Sequence, residues 1–204
     1  VNDLKQARPE EWDDYYSRYN FGTTLRFAKG LTADIDYTYN QTITTLHRVG
    51  GKVEGINQWN SGRFEDLVGV YSTAAYNYAQ YVSAKELRNT LNAYLTYDKA
   101  FGQHAVKVMG GTNIEDEELT ALSAKRNDVY DFDKGEVNLA GGTQTTDSEH
   151  VWWSVAGFFG RINYAFDDKY LFEVNGRYDG SSRFGEGKRW GFFPSVSAAW
   201  RISE

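Results

Sequence analysis

The sequence predicts an all-β chain whose antiparallel strands form part of a transmembrane outer-membrane β-barrel. Three observations predict it. Several stretches alternate apolar and polar residues with a period of two, which gives a strand one apolar and one polar face. The connections between these stretches alternate between short and long. Aromatic residues make up 16% of the 204 positions, with 15 Tyr, 12 Phe and 6 Trp, beside 20 Gly and only 2 Pro. The remaining question is whether the apolar face meets a protein core or lipid.

Residues 1–20 are polar and acidic. Pro9, Glu10 and Glu11 suit the first turn of a short helix, and Tyr15, Tyr16 and Tyr19 read as a loop entering the first strand. Phe21–Ala28 then alternates Phe21, Thr23, Leu25 and Phe27 against Gly22, Thr24 and Arg26. Lys29 and Gly30 make a tight connection, Gly taking positive φ at little cost. The second strand is the most regular: Leu31, Ala33, Ile35, Tyr37, Tyr39 and Ile43 alternate with Thr32, Asp34, Asp36, Thr38, Asn40 and Thr42.

From 49 to 85 the pattern dissolves into a Gly/Asn/Ser/Tyr-rich excursion, with room for a short helix after Ser61. Alternation returns at Leu87, Leu91, Ala93, Leu95 and Tyr97, and after a short connection at 98–103 a strand follows over His104–Thr112. A second excursion runs from 113 to 150 and holds the acidic run Glu115–Glu118, best read as a solvated strand extension. Trp153–Phe166 is the fifth strand, and Asp167-Asp168 turns it into the sixth. There Tyr170, Phe172, Val174, Gly176 and Tyr178 alternate with Lys169, Glu173, Asn175, Arg177 and Asp179. After a loop at 180–189 the last strand carries Phe192, Val196, Ala198, Trp200 and Ile202 on one face, with Ser195, Ser197, Arg201 and Ser203 on the other.

Seven strands result, with every second connection short. Structureless connections longer than about 15 residues are uncommon inside a compact domain. A barrel with short periplasmic turns and long extracellular loops predicts this sorting; a soluble, aromatic-rich β-sandwich does not, and stands as the alternative. A closed sheet spans hydrocarbon because every backbone group is paired internally. Tyr37, Tyr39, Tyr97, Trp153, Tyr170, Trp190 and Trp200 suit interfacial girdles. In this reading Tyr170, Phe172, Val174, Val196, Ala198 and Trp200 face lipid, and Glu173, Asn175, Arg177, Ser197 and Arg201 face a wet lumen.

A net charge of −6 argues against nucleic-acid binding, which wants a basic face. With no Cys there is no thiolate chemistry and no disulfide framework. No stretch approaches the ~18 consecutive apolar residues of a membrane helix. The opening residues lack the pattern of a signal peptide, and seven strands are too few for a complete bacterial barrel. The expectation is a piece of a longer protein.

The segment Arg161–Glu204 is similar to the SusC/RagA family of TonB-linked outer-membrane proteins. The residues that carry the resemblance are Arg161, Tyr164, Tyr170 and Arg177, then Asp179-Gly180-Ser181-Ser182-Arg183-Phe184, then Trp190-Gly191, Pro194-Ser195 and Trp200-Arg201. The resemblance implies that 1–204 is a fragment of one 22-stranded barrel domain, with plug, TonB box and remaining strands outside it. It further implies import of oligosaccharides or peptides, a SusD-like surface lipoprotein as partner, coupling to the TonB complex, and an outer-membrane location.

Candidate chemistry is sparse, and no enzyme is expected. Asp128, Asp131, Asp133 and Glu136 carry oxygens suited to Ca²⁺, but their spacing misses the EF-hand pattern and a solvated loop explains them. His47, His104 and His150 share no metal-ligand spacing. Asp34 and Asp36 share a face, which a wet lumen explains without glycosidase chemistry. No other cofactor is expected. Trp59, Tyr71, Tyr76, Tyr78 and Tyr81 are the loop aromatics suited to stacking on sugar rings. Asp179–Phe184 gathers turn-forming residues that end one strand and aim the next.

Overall fold

The computed structural model describes residues 10–51, 53–56, 68–71 and 77–202. The described strands are β1 (Glu10–Ala28), β2 (Leu31–Val49), β3 (Val53–Ile56), β4 (Val68–Tyr71), β5 (Tyr78–Phe101), β6 (His104–Asn127), β7 (Gln144–Phe166), β8 (Tyr170–Ser181) and β9 (Trp190–Trp200). Seven of them form one sheet in the order β1-β2-β5-β6-β7-β8-β9, and β3 and β4 pair separately as an antiparallel hairpin. In such a meander every second connection falls at the same end of the sheet. The connections at 29–30, 102–103 and 167–169 are tight; those at 50–77, 128–143 and 182–189 are longer.

By contact density the chain divides into two compact units. One comprises 1–16, 42–86 and 119–150, and the other 17–41, 87–118 and 151–204. The second unit holds the alternating parts of the strands. Its register sets Tyr170 opposite Phe166 and Trp200, Phe172 opposite Tyr164 and Ala198, and Val174 opposite Ile162 and Val196. One residue on, Glu173 faces Asn163 and Ser197, and Asn175 faces Arg161 and Ser195. The period-two pattern thus becomes an apolar face and a polar face across β7, β8 and β9.

Among the described residues, neither face has a protein core over it. The buried hydrophobic residues among those described are Ala79, Val129 and Ala140, whereas Phe192 is 64%, Val196 66% and Trp200 59% exposed. A sandwich would cover one face with a second sheet. The seven strands lie in one sheet, and that is the arrangement of a barrel wall.

The strands run well past the alternating segments. Residues 10–20 are strand rather than a helical turn and a loop, 78–86 belong to β5, and 113–127 and 144–152 extend β6 and β7. The excursion expected at 113–150 therefore shrinks to 128–143, and that at 49–85 ends at 77 and contains β3 and β4. The short helix expected after Ser61 falls on residues outside those described, except for Val68–Tyr71, which is strand. At 10–20 and 144–152 neither face is covered, since every residue there but Ser17 is exposed, and no apolar face is selected. Backbone pairing carries these extensions together with cross-strand polar contacts such as Arg48 to Glu10 and Thr44 to Asp14.

Connection 128–143, in the first unit, is ordered by its own small core. It contains two 3₁₀ turns, Phe132–Lys134 and Val137–Leu139. Phe132 and Val137 pack against Ala79, Val129 and Ala140. Asn77 anchors it, its carbonyl accepting from the Asp128 amide at 3.1 Å and its side-chain oxygen from the Val129 amide at 2.8 Å.

Candidate functional site

On the apolar face of the second unit, aromatic side chains collect in two belts. Toward the tight connections, His104 lies 5.5 Å from Phe101 and 5.1 Å from Phe166, and its Nδ1 is hydrogen-bonded to the Tyr164 hydroxyl at 2.7 Å. The belt continues through Phe166–Tyr170 at 6.4 Å to Tyr170–Trp200 at 6.3 Å. Toward the longer connection, Trp190 stacks on Tyr178 at 4.9 Å and on Phe158 at 6.1 Å. Between Tyr170 and Tyr178 β8 advances by roughly 27 Å, on the order of 20 Å after barrel tilt, close to the apolar band of about 25 Å that girdles flank in outer-membrane barrels. Phe172, Val174 and Gly176 occupy that interval.

The polar face carries separate hydrogen-bonded groups. Arg161 donates to Asn175 at 2.6 Å, and Asn175 donates to Glu173 at 2.6 Å and Ser195 at 3.4 Å. Arg177 donates to Asp179 at 2.8 Å and lies 5.7 Å over the Phe159 ring. This pair crosses Gly157, where a Cβ would meet the Asp179 carboxylate at 2.4 Å. Thr24 donates to Asp34 on β2, and the Asp36 carboxylate lies over Gly22.

A second cluster on this face joins β5, β6 and β7. Arg88 donates to Glu117 through two nitrogens and lies 3.8 Å from Glu115. Glu117 also accepts the Trp153 indole N–H at 3.1 Å, and the Arg183 guanidinium sits 4.3 Å over the Trp153 ring. Trp153 is therefore on the polar face and not in a girdle. It shares the parity of Arg161 and Phe159 in β7, and strand parity overrides the tendency of Trp to lie at an interface. The acidic run splits by the same rule: Glu115 and Glu117 take part here, while Asp116 accepts from Asn89 at 2.8 Å, and Asn89 in turn accepts from Tyr37 at 2.7 Å. Sequence reasoning missed this cluster; the parity of Glu117 within a continued β6 is the signal that finds it.

In the first unit, His47 stacks on Tyr81 at 4.2 Å, and its Nε2 donates to the Gly135 carbonyl at 3.0 Å. The Tyr81 hydroxyl donates to Glu136 at 3.1 Å. Burial, reinforced by Glu136, raises the Tyr81 pKa above its ordinary value.

The remaining residues singled out from the sequence fall as follows. Tyr78 lies under the Lys125 ammonium at 4.0 Å, so Tyr78 and Tyr81 both already have ring partners. Trp59 and Tyr76 lie outside the described residues, and Tyr71 ends β4. Asp131 caps the first 3₁₀ turn by accepting from the Asp133 amide at 2.9 Å, and Glu136 holds Tyr81. With Asp128 these residues form no cluster of three potential metal ligands among the described residues. Among the residues that carry the resemblance, Ser181 Oγ accepts from the Arg183 amide at 3.3 Å, and Ser182 exchanges hydrogen bonds with Ser154 at 2.8 and 2.9 Å. Trp190 covers Gly180, Phe193 covers Gly191, and Pro194 pairs with Gly176, where no ladder N–H is needed from it. Phe184 is 61% exposed, and the Arg201 amide donates to the Lys169 carbonyl at 2.8 Å.

No family profile matches the sequence. Curated relatives do. Over 114 residues, 54% of the chain, it is 33% identical to TonB-dependent receptor P26 of Formosa agariphila, and over 176 residues, 84% of the chain, 27% identical to TonB-dependent receptor SusC of Bacteroides thetaiotaomicron. The fold superposes on a solved structure of the RagAB peptide importer in its open–open state with a TM-score of 0.76 at 17% identity, covering 93% of the chain. The chain is similar in sequence to TonB-dependent receptors of the SusC kind and in fold to the RagAB importer. It spans 12% of the length of P26, 17% of SusC and 20% of the superposed importer chain. A second RagAB structure superposes with a TM-score of 0.73 over 95% of the segment. The segment's seven-stranded sheet thus shares its fold with part of those solved structures.

Proposed function

We propose that the chain is part of the wall of an outer-membrane, TonB-dependent importer of the SusC kind, which takes up oligosaccharides or peptides. The observation that carries this reading is the two-faced sheet: an apolar face framed by aromatic belts, and behind it a polar face of hydrogen-bonded groups. Lipid suits the first and water the second. The relatives supply the transport class, being named TonB-dependent receptors and a peptide importer. In this reading connections 50–77, 128–143 and 182–189 face outside, where a SusD-like lipoprotein caps the barrel. Coupling to TonB runs through other parts of the protein.

Cargo passes along the polar face after the interior rearranges, with no bond made or broken by these residues. The experiment is uptake by cells expressing the whole protein, measured for labelled oligosaccharide and peptide pools with and without a functional TonB complex. Accumulation that requires both the protein and TonB supports the reading. Equal accumulation in cells lacking either one rejects it.

A further inference from the structure

The cation that ends the Trp153 cluster has an unusual setting. Arg88 is already engaged with Glu117 and Glu115, and Glu117 fixes the indole of Trp153 through its N–H. Arg183 lies over that fixed ring, at 4.3 Å, and has no ion-pair partner among the described residues. Its backbone is held too: Ser182, the residue before it, exchanges two hydrogen bonds with Ser154. The guanidinium is thus pre-positioned with one face on the indole, on a residue that is exposed. Lys188 and Arg189 follow in the same connection against a single Glu186, in a chain whose net charge is −6.

We propose that Arg183 on Trp153 is a binding subsite for a carboxylate carried by the cargo. A planar guanidinium presents paired donors that match a carboxylate bidentately, and stacking keeps it in the geometry that does so. Glu117 and Arg88 position the ring and do not touch the ligand. Lys188 and Arg189 add attraction over a longer range. Two cargo chemistries bear such a group: the C-terminus of a peptide and the acid of a uronic-acid sugar. The proposal rests on the transporter reading given above and adds a substrate class to it.

The test uses the purified full-length protein in detergent and measures binding calorimetrically. The probes are tetra-alanine, its C-terminal amide, tri-galacturonate and maltotriose. The wild type binds at least one free acid more tightly than its neutral counterpart. Arg183→Gln weakens that binding by roughly tenfold or more, as loss of a hydrogen bond to a charged group does, and leaves neutral probes unchanged. Arg183→Lys falls between, keeping charge without the fork. Loss confined to tetra-alanine assigns the peptide source, and loss confined to tri-galacturonate the sugar source.

Wild-type protein that binds neither acid in preference to its neutral partner overturns the proposal. So does an Arg183→Gln protein that loses acid and neutral probes equally, since that marks a residue that only shapes the loop. TonB-dependent uptake that persists in either case leaves the transporter reading standing, which separates the two failures.

Discussion

The indole of Trp190 lies flat against the backbone of Gly180: a Cβ at that position would come within 2.6 Å of the ring. The two residues are register partners on adjacent strands, and Trp190 reaches across Gly180 to stack between Tyr178 and Phe158. Gly180→Ala therefore displaces the centre of one aromatic belt. The expected cost is about 1–3 kcal/mol, as for overpacking elsewhere. It is read as a lower denaturant midpoint of the refolded protein, with Ser181→Ala as a control that keeps the ring in place.

The assignment of faces makes an asymmetric prediction for neighbouring residues of β8. Val174, between Ile162 and Val196, sits midway between the belts. Val174→Arg places a charge at the centre of the lipid-facing band and costs about 2–4 kcal/mol. Asn175→Arg, one residue on, removes the acceptor of Arg161 but leaves its charge on the wet polar face, and costs about 0.5–1.5 kcal/mol, less than Val174→Arg. Folding yields into lipid vesicles across a urea series distinguish the two. Equal sensitivity counts against lipid on the apolar face.

Gly30 closes the β1–β2 turn with φ of +84°, and a Cβ there would stand 2.2 Å from the Asp98 carbonyl. Its own carbonyl accepts from the Asp98 amide at 2.7 Å, so the turn is stitched to β5. Gly30→Ala combines left-handed strain with a backbone clash and costs at least about 2 kcal/mol. Gly102→Ala, at φ +59° with open space around the Cβ, meets the strain without the clash and costs less. The difference in thermal midpoint between the two variants measures the clash.

Tyr81 and Glu136 give connection 128–143 a pH signature. Because the folded pKa of Tyr81 is raised, its contribution is fully present below the ordinary tyrosine value and is lost as pH rises through the folded value. Tyr81→Phe removes the hydrogen bond at every pH. At neutral pH the variant exchanges the amides of Val129 and Gly141 faster than the wild type. At strongly alkaline pH the two converge, once the intrinsic rate is divided out. Amide hydrogen exchange followed by mass spectrometry checks both limits.

Legibility followed what each face must satisfy. Where one face is apolar and the other polar, as along Tyr170–Tyr178 or Leu31–Ile43, the alternation marks the strand and both its faces. Where both faces are exposed, as in Glu10–Asn20 and Gln144–Trp152, no such constraint acts on the side chains. The backbone is strand there through pairing with neighbours that are distant in sequence. Trp153 shows the same limit for one residue: aromatic character suits a girdle, but position within β7 sends it to Glu117 and Arg183.

The all-β class, the seven alternating segments, the sorting of their connections and the SusC/RagA resemblance are all legible in the order of residues alone. All of these are local or periodic, and a two-residue period needs no partner to be read. Only the tertiary structure decided the lengths of the strands, the order within 128–143 and the neighbours of each charge. Those depend on the register between strands, which a single strand's pattern does not contain. The pairing of Trp190 with Gly180 belongs to this second kind: the glycine is visible in the sequence, and the ring that requires it is not.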